Sequence, residues 1–330
     1  MARLTDVAQE AGVSLATASR ALNGSRDRQV RPELRERVLA AAIRLNYSPH
    51  AAAQAMARGR SDAIGLIIGD ITDPYFTGVS AGVSHAVQPS GGVVTLASTG
   101  GDHARRITLI NLMRSQRARA IILAGALPVD EAELAELDAA LAAYAELGQV
   151  ALISQPGLTH HTVHPDNGGG AEALARGLNE RGYTRAAIIA GPPTHQTATE
   201  RAEGFARAWQ GELRIHPCSF DRAGAGQAMV ELMKHRPEVV FAVTDVMALG
   251  ALAAARDAGV QVPNDVALAG FGDIPTLADV RPQLTTVRLP LEEIGATAVE
   301  LALGGGEPQT LEIDVNVQWR ESTPDLTKGL

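Results

Sequence analysis

The chain is poor in what would mark a secreted, membrane-bound or catalytic protein. It has one cysteine, Cys218, in 330 residues. That excludes an internal disulfide and any thiolate metal cage, and leaves Cys218 to be read as a small buried side chain. No run of about 18 apolar residues occurs, and Met1–Gly12 carries Asp6 and Glu10 where a secretory leader would be apolar. A cytoplasmic location without membrane partners is therefore expected. No G-x-G-x-x-G follows the first apolar strand, and Gly168-Gly169-Gly170 lacks that spacing, which argues against a dinucleotide-binding oxidoreductase. No nucleophile elbow of the spacing G-x-S-x-G is expected either. His160, His161 and His164 have no carboxylate at helical spacing and read as loop histidines rather than metal ligands. These absences point away from an enzyme, a cofactor and a bound metal.

What is present is an uneven charge. Residues 1–60 hold ten arginines against five acidic side chains, for +5, while the rest of the chain carries −13 and the whole −8. A basic head on an acidic body suggests that only the head meets a polyanion. The length suits one small and one large domain, and 45% apolar residues supply their cores.

The head reads as helical. Thr5 is a plausible N-cap for Asp6–Ala11, with Gly12 as its stop. Ser14 caps a second helix running from Leu15 to about Asn23. Two short helices joined by a glycine turn match a helix-turn-helix layout. Ala18, Ala21 and Leu22 share one face of the second helix and pack inward, whereas Leu15, Ala16, Ser19 and Arg20 share another that points outward. An exposed leucine beside small residues and an arginine suits a major groove. Leu15 and Ala16 can meet thymine methyl groups, and Arg20 can reach guanine O6 and N7. Pro32 opens a third helix, with Leu34, Val38, Ala41 and Leu45 at helical spacing.

Leu4-Thr5-Asp6-Val7-Ala8, Ala11-Gly12-Val13-Ser14, Ala16-Thr17-Ala18-Ser19-Arg20-Ala21-Leu22-Asn23-Gly24 and Leu45-Asn46-Tyr47-Ser48-Pro49 together resemble the headpiece of the LacI/GalR family. The resemblance implies that Leu15, Ala16 and Arg20 read bases. Thr5, Ser14, Thr17, Ser19, Asn23 and Tyr47 would then position the head, largely through phosphates. The loop 25–30 is about two residues longer than is usual in the family, and Arg31 stands where a serine often caps the third helix. The Ala-rich segment 50–60 is similar to the family's hinge helix. It would carry Ala53 and Met56 to the minor groove, Met56 at the position of the family's wedging leucine.

From Asp62 onward, short apolar runs alternate with amphipathic stretches. The strand candidates are Ala63–Ile68, Val93–Ala97, Ala120–Leu123, Val150–Ile153, Ala186–Ala190, Val239–Val243 and Val266–Ala269. Such alternation implies right-handed βαβ units, and seven strands suit two doubly wound parallel-sheet lobes better than one. Ligands of such folds sit in loops at the carboxyl ends of strands. Tyr75, Phe76, Phe220 and Phe271 all fall in such loops, although aromatics are only 3% of the chain.

The family resemblance extends here to a body like a type I periplasmic-binding protein. Asp73-Pro74-Tyr75-Phe76, Arg201-Ala202-Glu203-Gly204-Phe205, Thr244-Asp245-Val246-Met247-Ala248-Leu249-Gly250 and Phe271-Gly272-Asp273-Ile274-Pro275 are similar to its elements. It implies three crossings between lobes, near 162, 289 and 319. The expected organisation is a helix-turn-helix headpiece over 1–48 and a hinge over 49–61. The N-lobe would cover 62–162 and 290–318, and the C-lobe 163–289 and 319–330. The implied effector-binding residues are Asp73, Tyr75, Phe76, Gln155, Arg201, Phe220, Asp221, Thr244, Asp245, Phe271 and Asp273. Gln155 stands where the family often has Asp, and Leu289 where it often has Gln. Thr244 and Gly272 also replace polar family residues, so the ligand differs from the commonest sugars.

The function implied is a ligand-responsive regulator, a repressor by the commoner family pattern. It would bind a palindromic operator as a homodimer, with a sugar or related metabolite between the lobes. Val317–Thr323 is similar to the family's last strand and tail, and no heptad tract follows, so a coiled-coil tetramer is not expected. A stand-alone sugar-binding protein and a Rossmann-type oxidoreductase remain the rival readings.

Overall fold

A computed structural model describes residues 2–23, 30–47 and 61–329. The chain divides into two compact units, Met1–Ser61 and Asp62–Leu330.

Among the described residues the first unit holds three helices: α1 (Leu4–Glu10), α2 (Leu15–Asn23) and α3 (Pro32–Arg44). Thr5 lies inside α1, because the helix starts at Leu4, two positions before the expected Asp6. Arg3 is the N-cap, and its backbone N–H donates to Asp6 Oδ2 at 2.8 Å, so the aspartate of the first turn performs the capping that Thr5 was expected to supply. Gly12 ends the turn with φ +62°, a conformation costly for other residues. Ser14 caps α2 by accepting from Thr17 N at 3.1 Å. At α3 the Arg31 side chain makes no capping bond and Pro32 occupies the first turn. The core joins Val7, Ala8 and Ala11 to Ala18, Ala21, Val38, Ala41 and Ala42, with Leu22 and Tyr47 packed against it.

The second unit is α/β. Its elements in chain order are β1 (Ala63–Ile68), α4 (Pro74–Val87), β2 (Val93–Ser98), α5 (His103–Ser115), β3 (Ala120–Ala124), α6 (Glu131–Ala145), β4 (Gln149–Ile153) and β5 (His161–Pro165). There follow α7 (Asn167–Glu180), β6 (Arg185–Ala190), α8 (Gln196–Ala208), β7 (Glu212–Pro217), α9 (Arg222–Met233), β8 (Val239–Ala242), α10 (Asp245–Asp257) and β9 (Ala267–Gly272). The last are β10 (Thr285–Arg288), α11 (Leu291–Gly304), β11 (Thr310–Ile313) and β12 (Asn316–Gln318). They form two six-stranded sheets, ordered β11-β5-β4-β3-β1-β2 and β12-β10-β9-β8-β6-β7. Every pairing is parallel except β10 with β12. Helix-covered parallel sheets explain the continuous apolar runs in the central strands. No helix among the described residues is long and apolar enough to cross a membrane.

Five strands lie outside the seven apolar runs, though the last falls partly in the segment expected from the family. β5, with the sequence His-Thr-Val-His-Pro, belongs to the first sheet, so the first crossing follows Pro165 rather than 162. The third falls between Ile313 and Asn316, earlier than 319, because β12 already pairs with β10 of the second sheet. The second lies between Arg288 of β10 and Leu291 of α11. His161 and His164 are strand residues, not loop residues. His164 Nδ1 lies 3.2 Å from Ser154 O, and no group of metal-ligating side chains exists among the described residues. Cys218 is half-buried, its Sγ 3.3 Å from Ala190 O. Gly78-Val79-Ser80-Ala81-Gly82 does fit the G-x-S-x-G spacing, contrary to expectation. It lies inside α4, however, where Ser80 Oγ donates to Phe76 O at 2.7 Å, so it forms no strand-to-helix elbow.

Candidate functional site

In the headpiece, burial of Ala18 and Ala21 turns the opposite side of α2 outward. Leu15 is 49% exposed, and Ala16 and Arg20 are exposed beside it. Thr17 and Ser19 are half-buried on the same helix, while Thr5 and Ser14 are exposed. Ser14 Oγ and Thr17 Oγ1 lie 2.8 Å apart, and Thr5 Oγ1 donates to Asp6 at 3.3 Å. The Asn23 side chain, Ala53 and Met56 lie outside the described residues.

The body holds a cleft of about 1220 Å³ lined by the carboxyl-end loops of both sheets. Several side chains there cap helices. Asp73 accepts from Tyr75 N at 2.9 Å, Asp221 from Gly224 N at 2.7 Å, and Thr244 Oγ1 from Met247 N at 3.2 Å. Burial raises the Asp73 carboxyl above its usual range and pushes the Tyr75 hydroxyl up to about 12, so Tyr75 remains a neutral donor. The hydrogen bond from Gly224 N holds Asp221 low.

At the cleft floor Arg201 is only 5% exposed. Its Nε donates to Asn167 Oδ1 at 2.9 Å and its Nη1 to Val243 O at 2.8 Å, and its guanidinium carbon lies 4.0 Å from the Phe271 ring centre. Burial lowers its pKa to about 10, still charged at neutral pH. Asp245 is buried, with Oδ1 accepting from Thr286 Oγ1 at 2.6 Å and Oδ2 from Ile274 N at 3.0 Å. Desolvation pushes its carboxyl up to about 6. His195 stacks on Phe220, ring centres 3.9 Å apart, and burial pushes its imidazole down to about 4.

Comparison with known proteins places these features. Residues 3–50 match the family described as bacterial regulatory proteins, lacI family, and residues 175–323 match a periplasmic binding protein-like domain. The HTH-type transcriptional regulator GalS of Salmonella typhimurium is 34% identical over 347 residues, covering 99% of this chain and 100% of GalS. The chain belongs to the LacI family. A crystal structure of the lac repressor dimer bound to operator and an anti-inducer superposes with a TM-score of 0.85 at 22% identity, covering 98% of this chain and 99% of that one. A complex of the transcriptional regulator CelR with cellobiose does so at 0.69 and 28%, covering 98% and 100%. The protein is thus a DNA-binding transcription regulator with a helix-turn-helix headpiece and a two-lobed periplasmic-binding-protein-like body.

Within this LacI-family body, ten of the eleven effector positions expected from sequence line the cleft: Asp73, Tyr75, Phe76, Gln155, Arg201, Phe220, Asp221, Thr244, Asp245 and Phe271. Asp273 is not among the lining residues. Its backbone takes φ +56°, and its Oδ1 accepts from Arg320 Nη2 at 2.6 Å, so it anchors the C-terminal tail instead. Asp245 lines the cleft with both oxygens already occupied by protein donors, which suits a structural rather than a ligand-reading role.

Asn167, His195 and Thr197 also line the cleft and were not singled out from sequence. His195 is the N-cap of α8 and Thr197 lies in its first turn, after the carboxyl end of β6. Asn167 follows β5, and recognising that strand would have pointed to it.

Proposed function

We propose that this protein is a repressor that binds a palindromic operator as a homodimer, its affinity set by a sugar or related metabolite held between the lobes. The observation that carries the DNA half is the outward face of α2. Leu15 is 49% exposed beside Ala16 and Arg20 while the opposite face is fully packed. An apolar contact for thymine methyls next to an arginine for guanine suits the major groove, and the surplus of arginine in the head supplies the phosphate attraction. Two heads related by a two-fold axis read two half-sites, which is the reason to expect a dimer. The proposed minor-groove hinge residues are Ala53 and Met56.

The ligand half is supported by the cleft itself, which places Arg201 over Phe271 among the ends of two parallel sheets. The relative CelR was solved with cellobiose. Closing the cleft on a ligand would couple effector and DNA, typically by about 1–3 kcal/mol.

A gel-shift selection of genomic fragments, followed by footprinting, tests this reading. The expected result is protection of an inverted repeat, with retardation released by a metabolite. Equal retardation of every duplex, or none, would leave a stand-alone binding protein or an oxidoreductase as the better account. Met56→Ala is expected to weaken specific binding more than non-specific binding, and equal losses would remove the wedge.

A further inference from the structure

The two ends of the first sheet carry opposite charge. Its strands are parallel, so their carboxyl ends all face the cleft, where Asp70, Asp73, Asp130 and Glu133 line the wall. Their amino ends lie on the far side of the lobe. Residues 62–165 hold five arginines, no lysine and ten carboxylates, and three of those arginines fall within 114–119, in the turn that leads from α5 into β3. That turn belongs to the amino end. Arg119 N donates to Ala63 O at 2.7 Å, and Gln149 N donates to Arg119 O at 3.2 Å, so it is bonded to the opening residues of both β1 and β4.

Arg114 is exposed in the last turn of α5, Arg117 is exposed beyond it and Arg119 is half-buried where the turn ends. Among the described residues the Arg114 and Arg119 guanidiniums make no ion pair and no hydrogen bond, although Asp62 and Glu146 stand in neighbouring turns. The turn closes with Ala118 N donating to Met113 O at 3.1 Å and Arg117 N to Arg114 O at 3.0 Å, and Arg117 takes φ +53°. This is the left-handed position that glycine fills without strain, yet here it carries an arginine. Arg114 and Arg117 border a hollow of about 450 Å³ together with Asn111, Ser115 and Leu147.

Guanidiniums grouped on one turn of an otherwise acidic body suit a partner rich in phosphate. Their place identifies that partner. Asp62 opens the body and the arginine turn is bonded to the next residue, so the patch lies where the chain arrives from the head. A duplex gripped by the head is thereby held at high effective concentration beside it, an advantage that no free anion or acidic protein shares. Taking the head as the operator-binding domain, as proposed above, we propose that Arg114 and Arg119 form a second DNA-contacting surface, on the body, which binds backbone phosphates of the duplex the head holds. It adds affinity without reading sequence, because phosphate contacts carry no base information. It stands apart from the effector cleft, at the opposite end of the same strands.

The test uses the full chain and a double variant, Arg114→Gln with Arg119→Gln, each checked for folding by circular dichroism and melting. Arg105→Gln is the control, because Arg105 is exposed on the same helix. It lies about 14 Å along the axis from Arg114, beyond the screening length of about 8–10 Å. The probes are poly(dI-dC) and the inverted repeat recovered by the selection above, and fluorescence anisotropy reads affinity across a salt series. The double variant is expected to lower the slope of log affinity against log salt by about 2 per bound protomer. The fall should be equal on both duplexes, so that the preference between them stays. Phenylglyoxal, which modifies free guanidinium groups, should label Arg114 and Arg119 more slowly in the complex than in the free protein, and Arg105 at one rate. Slopes unchanged in the double variant, or Arg114 and Arg119 labelled in the complex at their free rate, overturn this surface and leave the head's binding in place. An equal fall in Arg105→Gln assigns the effect to net charge and overturns it too. Polyglutamate that protects these arginines against a saturating duplex assigns the patch to an acidic protein instead. A parent that binds neither duplex overturns the operator reading together with this one.

Discussion

Arg201 is clamped against Phe271 with its guanidinium carbon 4.0 Å from the ring centre, and Nε and Nη1 hold Asn167 and Val243 at the same time. A flat, multiply donating group is needed for that arrangement. Arg201→Lys keeps the charge but cannot stack and bond along two directions. It is expected to cost about 1–3 kcal/mol of stability and to weaken effector response at least about tenfold. Urea unfolding and effector titration of the DNA complex check both, and a fully responsive lysine variant would contradict the role.

Two groups of the cleft, the buried Asp245 and the half-buried His195, set opposite pH dependences. Burial raises Asp245 from 3.8 to about 6, so the folded state holds its proton where the unfolded state has lost it. Its contribution to stability is present at low pH and is lost as pH rises through about 6. Burial lowers His195 from 6.5 to about 4, so its contribution is present above 6.5 and is lost as pH falls through about 4. Between these limits the two slopes oppose each other. Relative to the parent, Asp245→Asn should gain stability as pH rises from about 4 to 6, by on the order of 3 kcal/mol. His195→Gln should lose stability relative to the parent over the same interval. Denaturant unfolding at several pH values measures the two differences, and inverted signs would show that these groups are not buried as described.

Helices α4 and α11 meet at reciprocal glycines. A β-carbon on Gly82 would overlap the carbonyl of Glu292, and one on Gly295 would overlap that of Val79. Gly295→Ala is expected to destabilise the protein by about 1–3 kcal/mol or more. Gly304→Ala, with nothing within 4 Å of the added carbon, should be neutral or gain up to about 1 kcal/mol. Thermal unfolding separates the pair, and equal effects would show that the close approach is absent.

Arg20 stands exposed in the last turn of α2. Arg20→Ala is expected to lose about 1–3 kcal/mol of discrimination at one base pair of each half-site. A uniform loss across all operator variants, measured by competition gel shift, would instead make Arg20 a phosphate contact.

The legible parts of the chain were those with strong local periodicity. The apolar runs at 63–68, 120–123 and 186–190 are central strands, buried on both faces, and little else could bury them. Hidden parts had polar local sequence rescued by partners far along the chain. β10 reads Thr-Thr-Val-Arg, yet its threonines are fully buried because Thr285 Oγ1 meets Thr323 Oγ1 at 2.7 Å and Thr286 meets Asp245. The Gly-rich start of α9 weakened its helical signal, although Asp221 caps it.

Residue order alone determined the outward face of α2, the basic head and the alternation that demands parallel sheets, because each follows from charge or from a period a few residues long. Only the fold decided that Asp273 turns to Arg320, and that Gln155 meets Thr197 with Asn167 holding Arg201 beside it. Those partners stand 34 to 47 positions apart, and no local preference encodes a contact made by sheet order and a chain that crosses between lobes.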